Sequence, residues 1–229
     1  MRLRYKGVIF DLDGTLADTI EDIAASVNRA LRARSYPEHP AGDYKAKVGW
    51  GIKRLAWLSL PEDVQRDKTL GEEISALIAA DSAAFYGETP LAHSRPYPGI
   101  GEVLSSLRQM KIKTAVLTNK PDPVAQKVIA GLFPPGTFDI VRGEIMGGSR
   151  KPDPSCVWDL LLELNLSPAD IIFTGDSEID MESAVSAGCF PLGVEWGYRS
   201  RETILAGGAR RIINKPEELL DFFIDKERI

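Results

Sequence analysis

From Gly99 onward the chain alternates short, continuously apolar runs with amphipathic stretches of helical spacing, and few architectures accept that pattern. Val103, Leu104 and Leu107 predict a helix, Thr114 to Thr118 a strand, and Pro123 to Leu132 a second helix. A weaker strand at Phe138 to Val141 precedes a helix carrying Val157, Leu160, Leu161 and Leu164, in which Trp158 is expected in the core. Ile171 to Thr174 reads as a strand, Ile179 to Ala187 as a helix and Pro191 to Val194 as a strand. A helix near Ile204, a strand at Ile212-Ile213 and a last helix from Pro216 complete the series. Strands without polar alternation are buried on both faces, so an α/β fold follows, with a Rossmann-like three-layer core of parallel sheet between helices.

The first strand, Val8-Ile9-Phe10, comes much earlier and ends at Asp11 and Gly14. A helix should follow from about Thr19, with Ile20, Ile23, Ala24, Val27 and Leu31 on one face and Asp18 or Thr19 as its cap. Residues 37–95 contain no convincing strand; Ile52 to Leu58 and Leu70 to Phe85 are helical, the second Ala-rich stretch suited to packing inside this region or against another chain. The organisation expected is a discontinuous core (1–16 and 96–229) with a small all-helical cap (17–95) inserted after the first strand.

Composition narrows the function classes. A net charge of −5 in 229 residues argues against nucleic acid or an anionic membrane as partner. Cys156 and Cys189 form neither a disulfide framework nor a zinc pattern, and no apolar run approaches a secretory or membrane-spanning segment. A cytoplasmic setting is expected, as monomer or homodimer.

Four polar segments fall at one edge of the expected sheet: Asp11-Leu12-Asp13-Gly14-Thr15-Leu16, Thr118-Asn119-Lys120, Lys151-Pro152, and Gly175-Asp176-Ser177 with Asp180 beyond. Carboxylates from Asp11, Asp13 and Asp176 converging there would repel unless a hard cation compensates, and magnesium is the natural choice. A lysine, a threonine hydroxyl and backbone amides opposite them suit a tetrahedral anion. In an extended segment Asp11 and Asp13 point the same way while Leu12 turns inward, so one carboxylate can attack phosphorus while the other handles a proton. Taken singly, each segment has a plainer reading: an Asx-turn at Asp11, a strand end at Thr118, a loop lysine at Lys151, and at Asp180 a carboxylate meeting a helix dipole.

Together the segments DLDGTLADT (11–19), LTN (117–119), KPDP (151–154) and GDSEID (175–180), in that order, resemble the haloacid dehalogenase superfamily and its helical-cap phosphatases of the phosphoglycolate phosphatase kind. The resemblance covers essentially the whole chain. It implies Asp11 as nucleophile forming an aspartyl-phosphate, and Asp13 as general acid and then base. It implies that Thr118 and Asn119 hold the phosphoryl group while Lys151 neutralises it. Magnesium would be held by the Asp11 carboxylate, the Asp13 backbone carbonyl and Asp176, with Asp180 beside it or reaching it through water. A small phosphorylated metabolite resembling 2-phosphoglycolate is the expected substrate. In the cap, Trp50 is a candidate to close over the leaving group, and Lys53 or Arg54 to meet a substrate carboxylate; solvated basic residues at a helix start read the same stretch equally simply.

Asp13 argues against dehalogenation, which uses no second acid two residues after the nucleophile. A phosphonate-cleaving enzyme would need a Schiff-base lysine, and Lys45, Lys47 and Lys53 sit in no such context. A sugar-phosphate mutase of the same superfamily, or a non-catalytic interaction module, are the alternatives. His39 and His93 fall in or beside the cap and are expected at the surface.

Overall fold

The computed structural model describes residues 5–89 and 91–223. In chain order its elements are β1 (Gly7–Phe10), β2 (Ala17–Asp18), α1 (Ile20–Ala33), α2 (Ala41–Tyr44), α3 (Ile52–Leu58), α4 (Glu62–Arg66), α5 (Lys68–Glu88) and β3 (Arg95–Pro96). Then follow α6 (Ile100–Gln109), β4 (Lys113–Pro121), α7 (Asp122–Leu132), β5 (Ile140–Glu144), α8 (Ser155–Leu164), β6 (Ile171–Gly175), α9 (Glu178–Ala187), β7 (Phe190–Val194), α10 (Arg201–Ala206) and β8 (Arg211–Ile213). The stretch expected to form a last helix from Pro216 is a 3-10 turn, Pro216–Phe222.

A six-stranded sheet in the order β5-β4-β1-β6-β7-β8 forms the centre, and every adjacent pair is parallel. The apolar runs are continuous because each face of the sheet is covered. Val8 and Phe10 enter one hydrophobic cluster with α1, α6 and α7, whereas Ile9 enters a second with Phe173 and the α8 residues Val157, Leu160 and Leu161. Alternation along a strand therefore divides apolar side chains between two cores instead of between core and water.

β1 lies between β4 and β6, with Phe10 in register with Val116 on one side and Thr174 on the other. The chain builds outward to β5 and then returns across β4 and β1 to place β6, so the order reverses beside β1. A crevice opens outside the strand C-termini at such a reversal. The segments after β1, β4 and β6 are neighbours there by topology alone.

Between β1 and β4 the helices α1 to α5 stand over this edge. The β2 and β3 strands pair antiparallel, Ala17 with Pro96 and Asp18 with Arg95, where the chain leaves and re-enters the sheet layer. This short ribbon lies in a region where only helices are expected from the sequence; two residues are too few to show period-2 alternation. The Ala-rich helix α5 buries Ile78 and Tyr86 together with Gly71, Ser75, Ala79 and Ser82, small residues that allow close approach to α1 and α3.

Two local expectations are corrected. Trp158 is 45% exposed and uses its indole N–H on the Ala187 carbonyl, since the buried stripe of α8 is carried by Val157, Leu160, Leu161 and Leu164. At α1 the N-cap position belongs to Thr19, whose hydroxyl does not cap the helix; of the two expected candidates it is Asp18 that serves, its Oδ1 accepting from the Ile20 amide at 3.3 Å. His93 is exposed beside Glu21, while His39 is only half-buried and bonded through Nε2 to the Ser59 carbonyl.

Candidate active site

β1 delivers Asp11 and Asp13 into the crevice while Leu12, fully buried, anchors the turn in the core. Gly14 follows with φ +86°, a conformation that side-chain-bearing residues rarely adopt, and a Cβ there would fall onto the Asp176 carboxylate. The turn can close against β6 only because Gly14 has no side chain.

Asp11, Asp176 and Asp180 each bring a carboxylate oxygen to within 4.8 Å of the others, and all three are buried. Burial first, then the Asp180 charge, push the Asp11 carboxyl up to about 7. Asp176 is pushed up to about 8 by burial, by Asp180 and by Asp11. Like charges desolvated together favour the protonated form unless a cation joins them. Hard oxygens in this arrangement suit a hard divalent ion, so the donor set fits the expected metal.

Asp176 is oriented from both sides: Thr15 Oγ1 donates to Oδ1 at 3.2 Å and the Tyr198 amide to Oδ2 at 2.7 Å. Asp180 sits in the first turn of α9 and closes a capping box, accepting from the Ser177 amide and hydroxyl on Oδ2 at 3.1 and 2.6 Å. Its other oxygen, Oδ1, accepts from Lys151 Nζ at 2.6 Å.

Lys151 Nζ also donates to Asp11 Oδ1 at 2.7 Å, so one ammonium bridges two carboxylates. Burial works against its charge, but Asp11 and Asp180 hold it well above the ordinary lysine range. Its backbone is fixed by Asn119, whose Oδ1 accepts from the Lys151 amide at 3.0 Å and whose Nδ2 donates to the Lys151 carbonyl at 2.9 Å. The same Nδ2 donates to the Gly49 carbonyl at 2.9 Å. The Asn119 side chain is thus committed to backbone groups, while the residue itself stays in the cavity wall. It sets the position of Lys151 and of the loop before α3. Thr118 is buried at the crevice floor and its Oγ1 accepts from the Lys120 amide at 3.2 Å, leaving the hydroxyl proton for a ligand.

The Asp13 carboxylate lies apart from the carboxylate cluster. Oδ1 accepts from the Thr19 hydroxyl at 2.6 Å, and Lys120 Nζ donates to Oδ1 and Oδ2 at 2.9 and 3.1 Å. Burial opposes the charge on Lys120, yet Asp13 and Tyr86 keep it above the usual range. Lys120 belongs to a segment picked out from the sequence, but nothing there distinguished it from a strand-end lysine. The residues after β7 were missed altogether. Tyr198 bonds Asp176 and Thr19, while Arg199 donates to the carbonyls of Lys45 and Val48 and to Glu178. The available signal was position, because Trp196 to Arg199 follow another strand of the same parallel sheet.

A cavity joins the crevice to the helices above it, with Asp11, Asp13, Thr118, Asn119, Lys151 and Asp176 in its wall. Trp50, Lys53 and Arg54 do not line it; all three are exposed. At the start of α3 it is Gly51 and Ile52 that face the cavity, and the helical repeat carries the next two side chains outward.

Comparison with known proteins agrees with this geometry. A family model described as a hydrolase, haloacid dehalogenase-like, matches residues 5–188. The chain is 34% identical over 203 residues to a phosphoglycolate phosphatase of Mannheimia succiniciproducens, covering 86% of this chain and 89% of that protein. It is 30% identical over 191 residues to the phosphoglycolate phosphatase of Aquifex aeolicus, covering 83% and 85%. A crystal structure of a predicted phosphoglycolate phosphatase from Haemophilus somnus 129pt superposes with a TM-score of 0.86 at 28% identity, over 95% of this chain and 97% of that one. The chain therefore belongs to the haloacid dehalogenase-like hydrolases, as an enzyme built like the phosphoglycolate phosphatases it resembles.

Proposed function

We propose that the protein is a magnesium-dependent phosphatase that hydrolyses a small phosphomonoester through an aspartyl-phosphate on Asp11. The observation that carries this reading is the buried meeting of Asp11, Asp176 and Asp180 with Lys151, beside a separately held Asp13. Asp11, the Asp13 backbone carbonyl and Asp176 would hold the metal. With both its oxygens engaged by Lys151 and Ser177, Asp180 acts chiefly by orienting Lys151. When bound, the ion supplies positive charge to the phosphate oxygens and keeps the carboxylates ionised.

An Asp11 oxygen attacks phosphorus in line, forming the acyl phosphate as the ester oxygen departs. Lys151 and the Thr118 hydroxyl stabilise the charge on the transferring group. Asp13 delivers a proton to the leaving oxygen and afterwards accepts one from the water that hydrolyses the acyl phosphate. Thr19 and Lys120 keep that carboxylate aimed at the cavity. Helices α1 to α5 form the cap, and we place its hinge at the β2–β3 ribbon. Among the described residues no helix is long and apolar enough to cross a membrane, and Cys156 and Cys189 are free and buried, which supports a reducing, cytoplasmic setting.

The test is phosphate release from a phosphomonoester panel, with magnesium and with chelator, for the native chain and Asp11→Asn. Metal-dependent release abolished in the variant, without loss of fold, is expected. Turnover by Asp11→Asn above trace level overturns the nucleophile assignment. A hexose 1-phosphate isomerised without free phosphate would favour a mutase.

A further inference from the structure

The part of the cavity beyond the phosphate site differs from what a doubly charged acid would need. Its wall on the cap side is apolar, formed by Ile23, Val48, Ile52, Leu55 and Ala83, with Val124 opposite. Among the described residues, hydroxyls on this cap side come from Ser26, Ser82 and Tyr86, while those of Thr118, Ser177 and Tyr198 lie on the sheet side. Ser26 and Ser82 already donate to their own helix, to the Ile23 and Ile78 carbonyls. The Tyr86 hydroxyl is different, being buried with no hydrogen-bond partner among the described residues. An orphaned donor in a cavity wall marks a place where a ligand oxygen would complete the bonding.

The cations are all spoken for. Among the described residues three line the cavity: Lys151, Lys120 and Arg199. Lys151 bridges Asp11 and Asp180, and Lys120 is paired with Asp13. Arg199 faces Glu178 and uses its remaining N–H groups on the Lys45 and Val48 carbonyls. Lys53 and Arg54 are outside. A substrate carboxylate placed beyond the phosphate would be desolvated against alkyl groups with no opposite charge, which strongly disfavours binding.

From this geometry we infer that the leaving group is an uncharged alcohol with an apolar body, its own hydroxyl meeting Tyr86, and not a hydroxy acid. The inference rests on the phosphatase reading and specifies the substrate class for that same site.

A matched pair of esters separates the two. 2-Phosphoglycolate and 2-hydroxyethyl phosphate differ only in whether the terminal group is a carboxylate or a hydroxymethyl, and n-butyl phosphate extends the apolar arm. With the native chain and magnesium, kcat/KM should be at least about tenfold higher for 2-hydroxyethyl phosphate than for 2-phosphoglycolate. n-Butyl phosphate should also exceed the acid. Tyr86→Phe should raise KM for 2-hydroxyethyl phosphate severalfold more than it raises KM for n-butyl phosphate. Ile52→Lys, which puts a cation at the half-buried rim of the wall, should move the preference toward 2-phosphoglycolate. Should either variant fail to fold, the native-chain ratio decides alone. Equal rates, or a preference for the acid, overturn the inference and leave the phosphatase standing. No turnover of any ester overturns both.

Discussion

At the scale of single residues, the site separates two carboxylates that stand only two positions apart. Asp11 shares a lysine with Asp180 and belongs to the buried carboxylate cluster, whereas Asp13 is held by Thr19 and by its own lysine, Lys120. Lys120→Met should therefore act on Asp13 alone. Leaving a buried carboxylate without its ammonium typically costs about 3–5 kcal/mol, so a loss of that order is expected in chemical denaturation. kcat should fall with it while magnesium affinity changes little. A variant as stable as the native chain would show that the pair is not holding Asp13. Lys53→Ala and Arg54→Ala, both at exposed positions outside the cavity, should leave kcat/KM within about twofold, the usual indifference of surface substitutions. The DxDGT segment was legible as a site because its residue types have one joint chemistry. Lys120 and Tyr198 were not, because a lysine or a phenol acquires its role only from the partner that folding brings to it.

At the scale of elements, the loop before α3 is fastened to the sheet layer by side chains from two strand ends. Arg199, after β7, donates to the Lys45 and Val48 carbonyls, and Asn119, in β4, donates to Gly49. Hydrogen bonds from a charged donor contribute about 1.5–3 kcal/mol each. Arg199→Ala should loosen this contact without unfolding the sheet. Faster amide exchange confined to residues 45–51, together with a higher KM, is the expected outcome. Unchanged exchange there would mean that the loop is held by α3 and α5 packing alone. Most elements were readable in the sequence, since strands and helices here are separated by clear changes of apolar period. The exceptions have local reasons. β2 and β3 are too short to carry a period, and the Trp158 position follows from which stripe of α8 faces the sheet.

For the molecule as a whole, the carboxylate cluster ties stability to pH and to metal. Asp11 and Asp176 titrate at about 7 and about 8 in the folded chain, against an ordinary value of 3.8, so between pH 4 and 8 the folded state binds more protons than the unfolded. Without metal, the stability these two groups contribute is fully present below about pH 4 and is lost as pH rises from there through their folded values of about 7 and about 8. A divalent ion binds the ionised carboxylates and should reverse that trend. The increase in Tm on adding magnesium is expected to be small at pH 5.5 and to grow toward pH 8, adding to the ordinary mass-action stabilisation. A Tm increase independent of pH would argue that these carboxylates are not the metal site. Asp176→Ala should abolish most of the increase, and Asp180→Ala should disturb Lys151 more than metal affinity.

By itself, the sequence determined the α/β architecture, the four polar segments at one sheet edge and the family resemblance, because each depends on local period or on residues close together in the chain. Helix and strand patterns repeat over a few residues, and a parallel sheet must bring its strand C-termini to one side. Only the tertiary structure decided which segments became partners: Asn119 with Lys151, Lys120 with Asp13, Tyr198 with Asp176, and Arg199 with a loop some 150 residues away. It also decided which helix side chains above the crevice face the cavity. A helix of known limits can be rotated about its axis by its packing, and that rotation points Ile52 into the cavity and leaves Lys53 and Arg54 in water. The residues of the candidate site were therefore written in the chain, whereas the lining of the cavity above it emerged from packing that no local pattern encodes.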